Sequence, residues 1–209
     1  MTALADPPVR TGRLYTAWRT VHTPVPGVPR WATIAAFAVP LTALPSSLWR
    51  IGVAFLDDDT AGKRGDLPSW LPGELYVIAL SIVSELVAFT AVGLVAAWGE
   101  WFPRWIPRLR GRRIPTPVAV VPAALGAATL TIMWTAAFVT EFAGVTLRGD
   151  PTPADFPSRA GGWESAVYYL CYAPLLLWGP LLAAVTFAYY RRRRVGIVAG
   201  FSAADRVSP

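Results

Sequence analysis

Charge is what this 209-residue chain has least of. Only 15% of its residues are Asp, Glu, Lys or Arg, against 54% that are hydrophobic, and its mean hydropathy is +0.43. A soluble domain carries roughly 25% charged residues, so there is too little here to cover a water-facing surface. The one cysteine, Cys171, excludes a disulfide framework. The one histidine, His22, excludes paired-histidine haem ligation inside a bundle, and with a single cysteine it leaves no ligand set for zinc. There is no Gly-x-Ser-x-Gly elbow, no Walker loop and no dinucleotide fingerprint. Glycine shows no three-residue period, and the apolar content excludes disorder for most of the chain. What the chain has instead is 10 tryptophans, 20 prolines and long apolar runs.

Four of those runs, 31–56, 74–98, 118–142 and 163–190, reach the ~20 residues that a helix needs to cross a bilayer. None alternates like a barrel strand, and lipid admits only helices or closed barrels. The expected fold is therefore all-α: a four-helix transmembrane bundle over 31–190, between an N-terminal tail (1–30) and a basic C-terminal tail (191–209). The first run is too long, and its polar approach too extended, for a cleaved signal peptide, so it reads as a retained helix.

The basic residues set the expected orientation. Arg10, Arg13, Arg19 and Arg30 precede the first span. Arg104, Arg108, Arg110, Arg112 and Arg113 fill the middle loop, and Arg191–Arg194 with Arg206 follow the last span. The other two loops hold only Lys63, Arg64, Arg148 and Arg159. Positive residues stay inside, which places both termini in the cytoplasm of a bacterial cell, with a multi-pass protein in its inner membrane. The partner expected for this positive face is the anionic inner leaflet. The loop interleaves Trp98, Trp101 and Trp105 with arginine, a pattern that nucleic-acid binders also use. Between two spans it reads as an interfacial belt, and no nucleic acid is expected as a partner. The run Asp57–Asp59 lacks the second acidic cluster that a Mg²⁺-diphosphate site needs and reads as a solvated loop. No metal or cofactor is expected.

Ionisable groups within hydrocarbon are costly, so each marks a candidate site. Arg50 lies roughly 9 Å from the outer end of the first span, and Glu85 roughly 16 Å into the second, at 1.5 Å per residue. An arginine side chain can bridge that difference. Ser46 and Ser47 share the Arg50 face, Trp49 adjoins it, and Ser81 lies one turn before Glu85. Trp134, Phe138 and Glu141 form one stripe of the third helix. Glu164, Tyr168 and Tyr172 form one stripe of the fourth, with Tyr169 beside them. Convergence of these faces would make an aromatic-lined pocket in the outer half of the bundle, where ligand sites are commonly built.

The segments Pro45–Ile51, Ser84–Leu86, Trp98–Glu100 with Arg112–Pro115, and Tyr172–Pro180 resemble a group of small four-helix membrane proteins common in actinobacteria. The chain is more weakly similar to the membrane-bound terpene cyclases of bacterial indole-sesquiterpenoid pathways. That similarity implies secondary-metabolite chemistry in which an intramembrane acid, here Glu85, protonates an alkene and an aromatic pocket guides the carbocation. The residues themselves accommodate this reading. Glu85, Glu141 or Glu164 could donate or recover a proton, Arg50 could position an acid, and the faces of Trp134, Tyr168 and Tyr172 could stabilise positive charge on a lipophilic prenylated substrate. Two other readings stay open. One is a non-catalytic partner subunit or lipid-binding module in which Arg50 and Glu85 form a structural pair. The other is a proton-coupled transporter or channel subunit.

Overall fold

The structure, a computed structural model, describes residues 25–56, 71–102, 111–154 and 156–204. The described residues form α1 (Arg30–Leu56), α2 (Gly73–Gly93), a 3₁₀ turn (Ala97–Glu100), α3 (Thr116–Phe142), α4 (Gly162–Tyr172) and α5 (Leu175–Ala204), with no strand beyond two isolated bridges. Four stretches are long and apolar enough to span a membrane: Arg30–Phe55, Gly73–Gly93, Thr116–Phe142 and Gly162–Val195. The Asp57–Asp59 run, Trp105 and most of the N-terminal tail lie outside the described residues.

α1 packs against α2 on one side and α5 on the other, α5 packs against α3, and α4 leans on α1. The order across the bundle is therefore α2–α1–α5–α3. Small side chains set this packing. Ala32, Ala36, Val39 and Ala43 repeat at helical spacing on the buried face of α1, and they meet a core that includes Ala88 and Ala91 of α2 and Leu175 and Trp178 of α5. Lipid tails are as apolar as leucine, so close backbone approach rather than expulsion of water holds such helices together. Several hydroxyls within the helices are turned back on their own backbone. Thr42 Oγ1 donates to the Val39 carbonyl at 2.7 Å, and Ser46 Oγ donates to that of Ala43 at 2.8 Å. α3 and α5 approach closely where Gly179 faces Ala127 and Thr131 with no room for a Cβ.

Two helix ends differ from the expected spans. α2 stops at Gly93, not near residue 98, because the chain doubles back. The Trp98 ring covers Gly93 and stacks on Phe89 at 6.3 Å, and Gly99 sits against the Gly93 carbonyl, where any Cβ would overlap it. The fourth stretch, expected as one helix ending at residue 190, is divided at Ala173–Pro174 into α4 and α5. Pro174 has no N–H to donate, and the bonding switches there to Leu176 and Leu177 N–H on the Ala173 and Pro174 carbonyls. Arg191–Arg194, read as the start of a tail, are helical residues of α5.

Two ends of the bundle can be told apart. At one, Val25 N–H donates to the Val95 carbonyl, Ile114 N–H to that of Glu100, and Arg192 pairs with Glu100. This arginine end gathers the residues before α1, the 3₁₀ turn, the start of α3 and the later turns of α5. The opposite end holds the connection from α3 to α4.

Candidate functional site

The aromatic faces of α3 and α4 do converge. Tyr168 stacks on Tyr172 with ring centroids 4.6 Å apart, and Tyr172 meets Trp134 at 6.4 Å. Tyr168 also touches Tyr169 edge-on at 5.5 Å, Tyr169 stacks on Phe142 at 6.0 Å, and Phe142 meets Phe138 at 6.4 Å. The four-residue spacing of Tyr168 and Tyr172 puts them one above the other on α4, and that of Phe138 and Phe142 does the same on α3. The result is one continuous group of rings from two helices, whose quadrupoles favour the tilted and offset contacts seen.

The loop between α3 and α4 adds what spacing alone did not show. Gly144 takes φ +75°, a left-handed conformation that reverses the chain after α3, and the Arg159 guanidinium lies over it where a Cβ would sit. Thr152 N–H then donates to the Gly144 carbonyl and Thr146 N–H to that of Asp150, closing a tight loop. The returning strand of chain carries Phe156 edge-on to Tyr168 at 5.6 Å and brings Ser158 to Glu141, whose Oε1 accepts the Ser158 hydroxyl. Ser165 of α4 fixes this segment by donating to the Ser158 carbonyl at 2.8 Å and accepting from Gly161 N–H at 3.0 Å. Glu141 is thus held at the edge of the rings and lies within electrostatic range of Tyr168. Phe142, Phe156 and Ser158 were not among the sequence candidates. The signal available for them was the Gly144–Gly149 turn pair, which folds the loop back on α3.

The other expected members are dispersed. Arg50 is half-buried, its Nε donating to the Ser46 carbonyl at 3.3 Å, and it lies within electrostatic range of Tyr172. Trp49 is half-buried and makes no ring contact among the described residues. Glu164 is exposed in the first turn of α4. Glu85 is not in the aromatic group. It lines a groove of about 430 Å³ between α1 and α2, together with Ser47, Leu48, Ser81, Ile82 and Leu86. Among the described residues no ion pair joins Arg50 to Glu85. The expected single pocket is therefore two places: rings, Glu141 and Arg50 on one side of α1, and Glu85 with Ser81 on the other. The physical reason is the order of helices. α2 is packed on the flank of α1 away from α3, and depth along a helix says nothing about such order.

Within the groove three polar atoms are buried and without a hydrogen-bond partner: Ser47 Oγ, Ser81 Oγ and Glu85 Oε1. Groups of this kind cost free energy until something satisfies them. Leu48, Ile82 and Leu86 on its rim are exposed, so the groove opens sideways from the bundle. Trp134 Nε1 is similarly buried and unpartnered beside the ring group. No group of three or more potential metal ligands occurs among the described residues. Compared with protein-family models, curated proteins and solved structures, the chain matches none.

Proposed function

We propose that this protein is a membrane-embedded terpenoid cyclase that uses protein groups alone, starting a prenylated substrate's cyclisation by proton transfer from Glu141. The observation that carries the reading is the Glu141–Ser158 contact at the edge of the Trp134–Tyr172–Tyr168 rings. Ser158 occupies Oε1 and leaves Oε2 to hold the acidic proton. Transfer of that proton to a substrate alkene carbon forms a C–H bond and a carbocation, which the ring faces attract. Loss of a proton from the cyclised cation to the Glu141 carboxylate restores the acid, so the net change is an isomerisation. Arg50, within electrostatic range of Tyr172, acts as a positioning group and need not touch the reacting atoms. In this reading the arginine end faces the cytoplasm of a bacterial cell and the ring group lies in the outer half of the inner membrane.

A second reading rests on the three unpartnered atoms of the α1–α2 groove: a non-catalytic module that takes a lipid or another lipophile from the bilayer, its polar group satisfying Ser47, Ser81 and Glu85.

Membranes carrying wild-type protein, Glu141→Gln or Glu85→Gln, incubated with farnesylated indole, separate the two. General acid catalysis contributes about 10²–10⁴-fold, so Glu141→Gln should lower cyclised product at least about a hundredfold while Glu85→Gln stays within a few-fold. Undiminished turnover in Glu141→Gln removes it as the acid. No product from wild type, together with a co-purifying lipophile that Glu85→Gln loses, favours the groove.

A further inference from the structure

The arginine end contains a second cavity, of about 480 Å³, lined by Glu100 of the 3₁₀ turn, Arg113 and Ile114, Thr116 at the first turn of α3, and Arg192 and Arg193 of α5. Its charges do not balance. Glu100 is buried and is the single carboxylate among the lining residues, facing three guanidinium groups. Arg192 Nη2 lies 2.9 Å from Glu100 Oε1, yet it is not aligned to donate to it. Arg192 Nε is buried without a hydrogen-bond partner, and the buried Nη2 has only its ion pair with Glu100, in a side chain 12% exposed. These two nitrogens form one edge of the guanidinium, the fork that grips two oxygens of a carboxylate or phosphate side by side. Arg193 gives one Nη2 bond to the Ile114 carbonyl, and its buried Nε is also unpartnered.

The arginines are held in this arrangement before any ligand arrives. The Arg192 and Arg193 guanidinium carbons lie 5.5 and 5.7 Å from the centre of the buried Tyr189 ring, and Arg113 covers Trp101 at 5.3 Å. Cation–π contact of this kind fixes a guanidinium without using its N–H donors. The N-terminus of α3, a helix of 27 residues, borders the cavity at Thr116; Pro117 has no N–H and Val118 N–H donates to the Pro115 carbonyl at 3.0 Å, so the helix contributes its dipole rather than a cradle of N–H groups. The positive end of its dipole therefore adds to the same field.

We infer that this cavity binds a phosphate monoester, as its dianion, through the side-on fork of Arg192 and the Nε of Arg193, in the field of the α3 N-terminus, with Arg113 as an exposed lip. Three arginines against one glutamate leave two positive charges, which a dianion neutralises. Glu100 holds Arg192 in place in the free protein and is the group an incoming phosphate repels. The same chemistry could come from a soluble phosphate or from the headgroup of a lipid phosphate at the membrane surface. The inference is independent of the cyclase reading.

The test uses purified full-length protein in an uncharged detergent at pH 7.5. One arm titrates inorganic phosphate against sodium chloride at matched ionic strength. The other uses nanodiscs of phosphatidylcholine containing phosphatidic acid or the diester phosphatidylglycerol. Loss of one charge-assisted bond should weaken binding about tenfold in Arg193→Gln. Arg113→Gln, at an exposed position, removes the lip and its contact with Trp101 and should weaken binding severalfold. Glu100→Gln lowers the stability of the free protein but should bind phosphate severalfold more tightly, which a purely structural glutamate would not do. Saturable binding of inorganic phosphate identifies the soluble source, and selective retention of phosphatidic acid alone identifies the headgroup. Equal response to chloride in the first arm and to phosphatidylglycerol in the second overturns the inference, as does wild-type affinity in Arg193→Gln.

Discussion

Gly179→Val is expected to force α3 away from α5 and to lower the thermal unfolding midpoint of the protein by about 6–12 °C. A Cβ at this position would lie 2.6 Å from the Thr131 amide nitrogen and 2.8 Å from the Ala127 carbonyl oxygen, and it would collide with Thr131 Oγ1 as well. Two of these three are backbone atoms and the third is locked to the backbone, since Thr131 Oγ1 donates to that same Ala127 carbonyl at 2.7 Å. Nothing at the contact can swing aside, so the helices must separate. Overpacking of this kind costs about 3 kcal/mol or more, and each kcal/mol moves the midpoint of a chain this size by about 2–4 °C. Tryptophan fluorescence during heating in detergent micelles reads the change. The control is Gly126→Ala on the facing helix, where the new methyl would meet only Leu182, at 3.9 Å. That variant should be neutral or slightly more stable, because alanine favours helix over glycine by about 1 kcal/mol. Equal midpoints for the two variants would show that α3 and α5 are not held by this crossing.

The second large effect lies at the other end of α5. Removing either member of the Arg192–Glu100 pair leaves the remaining charge almost enclosed, at 12% and 11% side-chain exposure. Breaking one partner of a buried pair costs about 3–5 kcal/mol, whereas replacing both with apolar residues is often nearly neutral. Glu100→Leu and Arg192→Leu should each lower the midpoint strongly, and the double variant should recover most of the loss. Glu100→Leu is expected to be the worse single change, since it leaves Arg192, Arg193 and Arg113 with no carboxylate among them. Additive losses in the double variant would mean that the two side chains stabilise the end of the bundle separately.

The four spans were legible because each is an apolar run bounded by charge, proline or glycine, and lipid leaves a helix as the only way to satisfy such a backbone. The stripes Trp134–Phe138–Glu141 and Glu164–Tyr168–Tyr172 were also legible, since spacing by three or four places side chains on one face of a helix, but that the two stripes meet was not. Nor was the separation of Glu85 from those rings. Two residues at similar depth can lie on opposite flanks of a third helix, and only the order α2–α1–α5–α3 decides which. Pro40, Pro45, Pro122 and Pro180 lie within continuous helices, and only at Pro174 is the helix interrupted. The burial of Glu100 was not legible either, because neither composition nor period shows that the 3₁₀ turn folds it under α5.

Because α5 continues as a helix through Arg191–Arg194, successive arginines are turned by about 100° from one another. Four adjacent positions in the sequence therefore cannot face one surface. Arg192 and Arg193 are folded inward onto Tyr189, while Arg191 and Arg194 are exposed, each over its own ring, Phe187 and Tyr190. An anionic surface outside the bundle consequently meets this run with a valence of two, and its attraction, about 1 kcal/mol for each basic residue near the membrane, is half what the letters Arg-Arg-Arg-Arg would imply.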